Sequence, residues 1–239
     1  MTAPLRVIVV IPALNEEAAL GAVLAELARV TLAPWARIER VIVGDNGSTD
    51  RTAEVARAAG ATVVGESRRG YGAACLAALA QAAPQRSDAI AFLDADGSDD
   101  PADLTAVLAP IAADAADLVV GSRVLGEAER GSLTPVQRFG NALASSLMRI
   151  SFGVRVTDLG PLRAIRTGTL ERLAMRDRDY GWTVEMQARA LREGARYLEV
   201  PVRYRRRRGG RSKVAGTLRG SVGAGWKILW TLARVRLGG

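Results

Sequence analysis

Short apolar runs, each stopped by a polar cluster and followed by a stretch of helical rhythm, set the fold class of this 239-residue chain. Leu5–Ile11, Ile38–Gly44, Ala61–Val64, Ala89–Leu93 and Asp117–Gly121 are the apolar runs. They are rich in β-branched residues and too short for buried helices, so they read as strands covered on both faces. Glu16–Val30, Thr49–Ala59 (closed by Gly60), Gly70–Ala83 and Pro101–Ala113 carry the helical pattern between them. Strict alternation of strand and helix predicts an α/β fold with a mostly parallel sheet and helices on both faces. Ligands of such sheets bind beyond the carboxyl ends of the strands. The polar clusters fall there: Asn15-Glu16, Asp45-Asn46-Gly47-Ser48, Ser67 to Gly72, and Asp94 to Asp100.

The pattern changes from about residue 124. Val124–Thr134 reads as a polar loop and Pro135–Phe152 as a helix. Leu162–Ile165 and Tyr197–Tyr204 are expected to be further strands, with helices at Thr167–Ala174 and Thr183–Arg192 between them. No repeat or low-complexity linker divides the chain. The expectation is one domain, with residues 1–123 as a nucleotide-binding half, 124–216 as an acceptor half and 217–239 as a terminal amphipathic helix.

The fourth run ends in Asp94-Ala95-Asp96, followed by Gly97-Ser98-Asp99-Asp100-Pro101. Carboxylates this close repel one another unless something positive sits among them. Two carboxylates one residue apart at a strand end can share a hard divalent cation, which in turn holds a diphosphate. The alternative is a solvated turn with a helix cap. The chain has no histidine and one cysteine, Cys75. That excludes imidazole bases, His-ligated metals and an intrachain disulfide. Proton transfer then falls to carboxylates, Tyr, Lys or water, and a metal site must be mainly oxygen-liganded. Cys75 sits in an Ala-rich helical stretch and reads as a small core residue.

The formal charge of +8 is unevenly placed. Residues 201–239 hold eleven basic residues and no acid, which leaves 22 basic against 25 acidic residues, a net −3, in residues 1–200. The basic tail is a local device suited to nucleic acid, anionic lipid or a phosphorylated substrate. Leu5–Ile11 is too short for the apolar core of a signal peptide. No uninterrupted run of about 18 apolar residues is present, so no spanning helix is expected.

In order along the chain stand Val10-Ile11-Pro12-Ala13-Leu14-Asn15-Glu16, Val43-Gly44-Asp45-Asn46-Gly47-Ser48-Thr49-Asp50, Gly70-Tyr71-Gly72-Ala73-Ala74, Asp94-Ala95-Asp96-Gly97, Val120-Gly121-Ser122-Arg123 and Gly210-Arg211-Ser212-Lys213. Each motif is weak alone, but the ordered set resembles glycosyltransferase family 2, in its dolichyl-phosphate mannose synthase-like branch. The resemblance implies a GT-A fold, a UDP- or GDP-hexose donor, Mg²⁺ or Mn²⁺, and inversion at the anomeric carbon. Carried over by position, it implies that Pro12, Leu14 and Glu16 line the nucleotide with Asp45 near the base. Asp94 and Ala95 would lie by the ribose, and Asp94 and Asp96 by the metal. Ser98 stands where such synthases usually have Gln, so the third metal ligand lies between Ser98, Asp99 and Asp100. Gly70 and Gly72 suit close approach of backbone to phosphate. Asn15 and Asp50 equally suit helix caps, and Gly70 a helix start. Thr157-Asp158-Leu159-Gly160-Pro161-Leu162-Arg163 replaces the commoner Asp-x-x-Ser-Gly-Phe-Arg pattern.

The same resemblance singles out Arg207, Ser212 and Lys213 as acceptor-phosphate contacts, joined by Arg123 and Arg138. Arg205 to Lys213 is a basic loop with a Gly-Gly hinge, and its guanidinium forks suit phosphate oxygens. It lacks the interleaved aromatics of a single-strand nucleic-acid site, so no nucleic-acid partner is expected. A phosphate acceptor is anionic at neutral pH and needs no strong base. A sugar hydroxyl needs one, for which Asp158 or Glu185 is the candidate. Thr217–Leu237 reads as a helix with Leu218, Val222, Trp226, Leu229 and Ala233 on one side, and Arg219, Lys227 and Arg234 in a basic sector. It suits a membrane interface and, equally, a helix packed on the core or on a second copy. The expectation is a cytoplasmic, metal-dependent, inverting hexosyltransferase acting on a polyprenyl phosphate at the inner membrane face. The alternatives are a hydroxyl acceptor and, from another class, a basic nucleic-acid-binding protein.

Overall fold

The computed structural model describes residues 3–83, 85–209 and 230–236. Ser212, Lys213 and most of the expected terminal helix, including Trp226 and Lys227, lie outside the described residues.

The elements run β1 (Leu5–Ala13), α1 (Glu17–Leu27), β2 (Ala36–Asp45), α2 (Thr52–Ala58), β3 (Thr62–Gly65), α3 (Tyr71–Ala82), β4 (Ala89–Phe92), a short 3₁₀ turn (Pro101–Asp103), α4 (Leu104–Ala112), β5 (Leu118–Ala128), α5 (Pro135–Phe152), β6 (Arg163–Arg166), α6 (Thr167–Leu173), α7 (Trp182–Arg192) and β7 (Tyr197–Tyr204). They build one seven-stranded sheet in the order β3-β2-β1-β4-β6-β5-β7. Strands from both halves of the sequence share it.

Side chains alternate across β1. Val7, Val9 and Ile11 join one core with Leu20, Val23 and Leu24 of α1 and Leu104, Val107 and Leu108 of α4. Ile8 and Val10 join a second core with Cys75 and Ala78 of α3 and Trp182 and Met186 of α7. This period-two division between two buried layers is what a doubly covered strand requires. Phe92 meets Trp182 edge to face with ring centroids 6.1 Å apart, an arrangement that aromatic quadrupoles favour.

The sheet is mostly parallel, as expected: β1 pairs in parallel with β2 and β4, β2 with β3 and β5 with β7, and β6 alone runs antiparallel, to both β4 and β5. Strand direction is set by where the chain re-enters the sheet, and a four-residue strand carries no sign of it. The expected loop from Val124 is in its first part strand: β5 continues to Ala128, pairing Glu127 with Arg203 and Ala128 with Tyr204 after a register shift. A Cβ on Gly126 would stand 2.1 Å from the Val202 carbonyl oxygen, so the absent side chain lets β7 approach there.

α5 occupies the expected residues. Thr134 and Gln137 form a reciprocal capping box, and Pro135 holds the first helical position. Residues 230–236 are helical. Leu232 and Val235 pack against Met148 of α5 and Val184 and Ala188 of α7. Arg234 of the expected basic sector points inward, with a guanidinium nitrogen 3.0 Å from a Glu185 carboxylate oxygen. This part of the terminal helix therefore sits on the core, and Trp230 is left exposed.

Candidate active site

β1 has β2 on one side and β4 on the other, and the chain leaves their carboxyl ends in different directions. A cleft of about 410 Å³ opens there. Pro12, Ala13, Leu14 and Glu16 line it from the end of β1, and Asp94, Ala95 and Asp96 from the end of β4. Asn46, Arg69, Gly70 and Tyr71 line it from the β2 and β3 sides. Asp179, Tyr180 and Arg207 come from the second half of the chain. Opening at the point where strand order reverses is the general rule for such sheets.

Asp94 is held by the Tyr71 hydroxyl, which donates to its Oδ1 at 3.0 Å. Burial, then the neighbouring Asp96 carboxylate, pushes the Asp94 pKa up to about 7. Asp96 Oδ1 accepts from the Ser98 backbone N–H at 2.9 Å and the Ser98 hydroxyl at 2.5 Å. Its Oδ2 lies 2.9 Å from Nη1 of Arg207. The other Arg207 terminal nitrogen donates to Glu16 Oε1. A guanidinium thus sits between two cleft carboxylates.

Arg207 is delivered by a strap that continues β7. The Arg205 N–H donates to the Ser98 carbonyl at 2.7 Å, and the Arg208 N–H to the Asp96 carbonyl at 3.0 Å. Arg205 and Arg208 both pair with Glu26 of α1, and Arg205 also with Asp100. The strap lies directly along the acidic turn. Behind it the Arg123 guanidinium stands over the Tyr204 ring at 4.9 Å, a cation–π contact.

The acidic turn assigns its members different work. Ser98 is 2% exposed and aims its hydroxyl at Asp96, so it orients that carboxylate from behind rather than lining the cleft. Asp99 is buried, accepts from the Asp94 N–H at 3.1 Å, and has its pKa raised, chiefly by burial. Asp100 caps the 3₁₀ turn by accepting from Ala102 N and pairs with Arg203 and Arg205. None of the three candidates for third ligand faces the cleft. Asp94 and Asp96 do, both through hard oxygen donors, and one already holds a cation. This donor set fits a divalent ion, which Asp94 and Asp96 would hold with the help of diphosphate oxygens and water. Among the described residues no group of three acidic or sulfur ligands gathers to complete a cage.

Other expected residues are placed differently. Asp45 ends β2 and closes its turn by accepting from Ser48 N at 3.1 Å; its neighbour Asn46 lines the cleft instead. Asn46 organises that wall, donating to the Arg68 carbonyl at 2.7 Å and accepting from Gly70 N at 2.8 Å. Gly70 and Gly72 do meet backbone closely, but it is the chain's own: Cβ atoms there would lie 2.0 Å from the Arg178 carbonyl oxygen and 2.2 Å from that of Asp177. Ala73 N donates to the Arg178 carbonyl at 2.9 Å, so the first turn of α3 is already partly satisfied by the 177–179 loop.

The two candidate bases are both buried in ion pairs. Asp158 is fully buried and grips Arg123 through both oxygens, at 2.8 and 2.6 Å. The pair engages Arg123 through its Nε and Nη2. Glu185 is also fully buried. It accepts from the backbone N–H groups of Arg176 and Asp177 at 3.0 and 2.6 Å and pairs with Arg189 and Arg234. Arg138 is exposed on α5, outside the cleft lining. Ala13, Asn46, Arg69, Tyr71, Ala74, Asp179 and Tyr180 line the cleft without a role expected from the sequence, and Asp179 and Tyr180 lay in none of its polar clusters or motifs.

Residues 8–173 match the family model described as glycosyl transferase family 2. An uncharacterized glycosyltransferase of Mycobacterium tuberculosis is 40% identical over 227 residues, covering 93% of this chain and 97% of that protein. The undecaprenyl-phosphate mannosyltransferase of Micrococcus luteus is 31% identical over 249 residues, covering 98% of this chain and all of that one. Among solved structures, glucosyl-3-phosphoglycerate synthase from Mycobacterium tuberculosis, in complex with Mn²⁺, UDP-glucose and phosphoglyceric acid, superposes with a TM-score of 0.74 at 22% identity, covering 97% of this chain and 80% of that one. The fold is therefore GT-A, and the chain belongs to glycosyl transferase family 2.

Proposed function

We propose that the chain moves a hexose from a nucleoside-diphosphate sugar to a polyprenyl phosphate, with inversion and with Mg²⁺ or Mn²⁺. The observation that carries this reading is the Asp94–Asp96 pair at the end of β4, facing a cleft that Arg207 also enters. Asp94 and Asp96 would hold the cation, which when bound supplies positive charge to the departing diphosphate. Pro12, Leu14 and Asn46 form the nucleotide end of the cleft in this reading. Ser98 keeps Asp96 oriented, and Tyr71 keeps Asp94 in place. The acceptor phosphate oxygen attacks the anomeric carbon from the face opposite the diphosphate. One carbon–oxygen bond forms as the other breaks, and no proton need leave the acceptor.

Three features favour a phosphate acceptor. Asp158 and Glu185, the expected bases, are both buried in ion pairs. The strap carries Arg205, Arg206, Arg207 and Arg208 past the cleft. The Micrococcus luteus relative, similar along its whole length, is named for an undecaprenyl-phosphate acceptor. For the prenyl chain, α5 offers Val136, Phe139, Leu143 and Ile150, all exposed. At 100° per residue they fall within about 60° of one another, a single apolar stripe. Arg206 ties the strap to the loop just before α5, donating to the Arg130 carbonyl at 2.9 Å. No helix among the described residues is long and apolar enough to cross a membrane, so attachment in this reading is peripheral, at the inner face.

The test is a transfer assay with UDP- and GDP-linked hexoses against undecaprenyl phosphate and 3-phosphoglycerate, with Mn²⁺ or excess chelator. Label in the lipid phase, dependent on metal, is the expected result. Label only on phosphoglycerate or on a neutral hydroxyl acceptor would replace the polyprenyl reading.

A further inference from the structure

Four carboxylates line the cleft, and three of them have partners. Glu16 and Asp96 share Arg207, and Asp94 holds the Tyr71 hydroxyl. Asp179 is the fourth, and its carboxylate makes no hydrogen bond or ion pair among the described residues. We infer that Asp179, with the adjoining Tyr180 ring, reads the hydroxyls of the donor hexose. This deepens the proposed reaction and rests on it.

The backbone beneath Asp179 is held from three sides. Its N–H donates to Asp177 Oδ1 at 2.8 Å. Its carbonyl accepts from Gly72 N of α3 and from Trp182 N of α7, each at 3.3 Å. Two residues further back, Glu185 accepts from the Asp177 N–H at 2.6 Å. The loop is thus fastened to two helices by main-chain bonds, while the side chain at its tip is left free. A polar group placed on a rigid support and left unsatisfied is what a preorganised contact needs.

The chemistry of the cleft selects what Asp179 meets. A bare carboxylate repels a diphosphate and an acceptor phosphate, so it does not serve either. It accepts from two hydroxyls at once and donates nothing, which suits vicinal hydroxyls of a pyranose. Tyr180 is 40% exposed and lines the same wall, offering an aromatic face to the apolar side of the sugar ring. The geometry also explains why Glu185 is buried here: it braces the loop that presents Asp179.

Because the Asp179 carboxylate has no partner to lose, Asp179→Asn should fold as wild type does. The experiment measures binding by calorimetry with Mn²⁺ and no acceptor. The ligands are UDP, GDP, and the glucose, mannose and galactose conjugates of whichever nucleotide binds. The expected result is that Asp179→Asn binds the free nucleotide within twofold of wild type. It should bind the preferred nucleotide sugar at least tenfold more weakly and lose most of the preference among the hexoses. Asp179→Glu should restore part of that preference. Equal affinity of wild type and Asp179→Asn for every nucleotide sugar would overturn the inference and leave the donor class standing. So would unchanged sugar binding with abolished turnover, which would make Asp179 a base for a hydroxyl acceptor. Failure of both nucleotides to bind wild type would remove the proposed reaction and this inference together.

Discussion

Arg207 Nη1 and Asp96 Oδ2 stand 2.9 Å apart, and the same guanidinium reaches Glu16. The acidic turn therefore carries a built-in positive charge at the position where the proposed reaction needs a cation. A divalent ion and Arg207 compete for one carboxylate oxygen. Arg207→Ala should therefore bind Mn²⁺ more tightly than wild type when no nucleotide is present. The same variant should lose transfer to undecaprenyl phosphate by tenfold or more, since one charge-assisted contact is worth about 1.5–3 kcal/mol. Mn²⁺ titration by electron paramagnetic resonance, beside kcat/KM for transfer, reads both effects. Unchanged metal affinity would mean that Arg207 yields no ground to the ion.

Asp96→Ala should abolish transfer and make wild type in excess chelator its equivalent. Ser98→Ala tests the smaller role. Two hydrogen bonds from Ser98 fix Asp96 Oδ1, and only the hydroxyl one is lost in the variant. A net loss of about 1 kcal/mol in orientation corresponds to a several-fold fall in kcat/KM. A loss as large as that of Asp96→Ala would return Ser98 to the ligand set.

The strand and helix order was legible because β-branched runs and capping residues are local signals. The start of α5 is marked by Thr134, Pro135 and Gln137, and its end by Gly153 in the left-handed region. The direction of β6 was not legible, because it depends on the path that brings Arg163–Arg166 between β4 and β5. The Asp94–Asp96 pair was visible as a motif at a strand end. Its guanidinium partner was not: the family resemblance singles out Arg207 for an acceptor phosphate, and nothing local ties it to Glu16, 191 residues away in sequence. The burial of Glu185 and Asp158 was not legible for a related reason. A charged residue in a sequence looks available, and only burial with paired cations shows that it is spent on structure. Asp179 carried no signal at all, since its place in the cleft depends on main-chain bonds to α3 and α7.

Glu185 offers a stability test separate from chemistry. Glu185→Ala would leave Arg189 nearly buried without its carboxylate, free two loop N–H groups, and release Arg234 of the terminal helix. Removing one partner of a buried pair typically costs about 3–5 kcal/mol. Thermal unfolding should fall by many degrees, and Glu185→Gln should recover part of it. A Glu185→Ala variant of normal stability but no activity would restore the base role.

Acid sensitivity should be traceable to the opposite end of the sheet. Arg196 donates to both oxygens of Asp117, at 3.1 and 2.8 Å, and hydrogen bonding to Arg196 holds Asp117 down to about 2. A carboxylate depressed in the folded state stabilises above its unfolded pKa and loses that contribution as pH falls through the folded one. The window is thus about pH 4 down to 2. The pair is open to solvent, so its contribution is about 1 kcal/mol after screening. Arg196→Ala should lower stability at pH 7 by that amount and flatten the loss between pH 4 and 2. Urea midpoints at both ends of the window measure this. Parallel curves for variant and wild type would show that the pair contributes nothing.

Membrane attachment is the last and most consequential prediction. α5 exposes Phe139 and Ile150 at 71% and 77%, so neither is a core residue. Arg138 and Arg149 are exposed on the same helix, about 80–100° round from the edge of the apolar stripe. Apolar burial and charge would then act together on an anionic bilayer, each basic residue near the surface adding about 1 kcal/mol, screened by salt. Wild type should float with phosphatidylglycerol-containing liposomes at low salt and release at high salt. Phe139→Ser with Ile150→Ser should abolish flotation while leaving thermal stability and nucleotide binding unchanged. Wild type that ignores anionic liposomes at low salt would leave the stripe to a second copy or another protein. The polyprenyl acceptor would then lose its structural support, and the acceptor assay would have to favour a soluble phosphate such as phosphoglycerate for the cleft to make chemical sense.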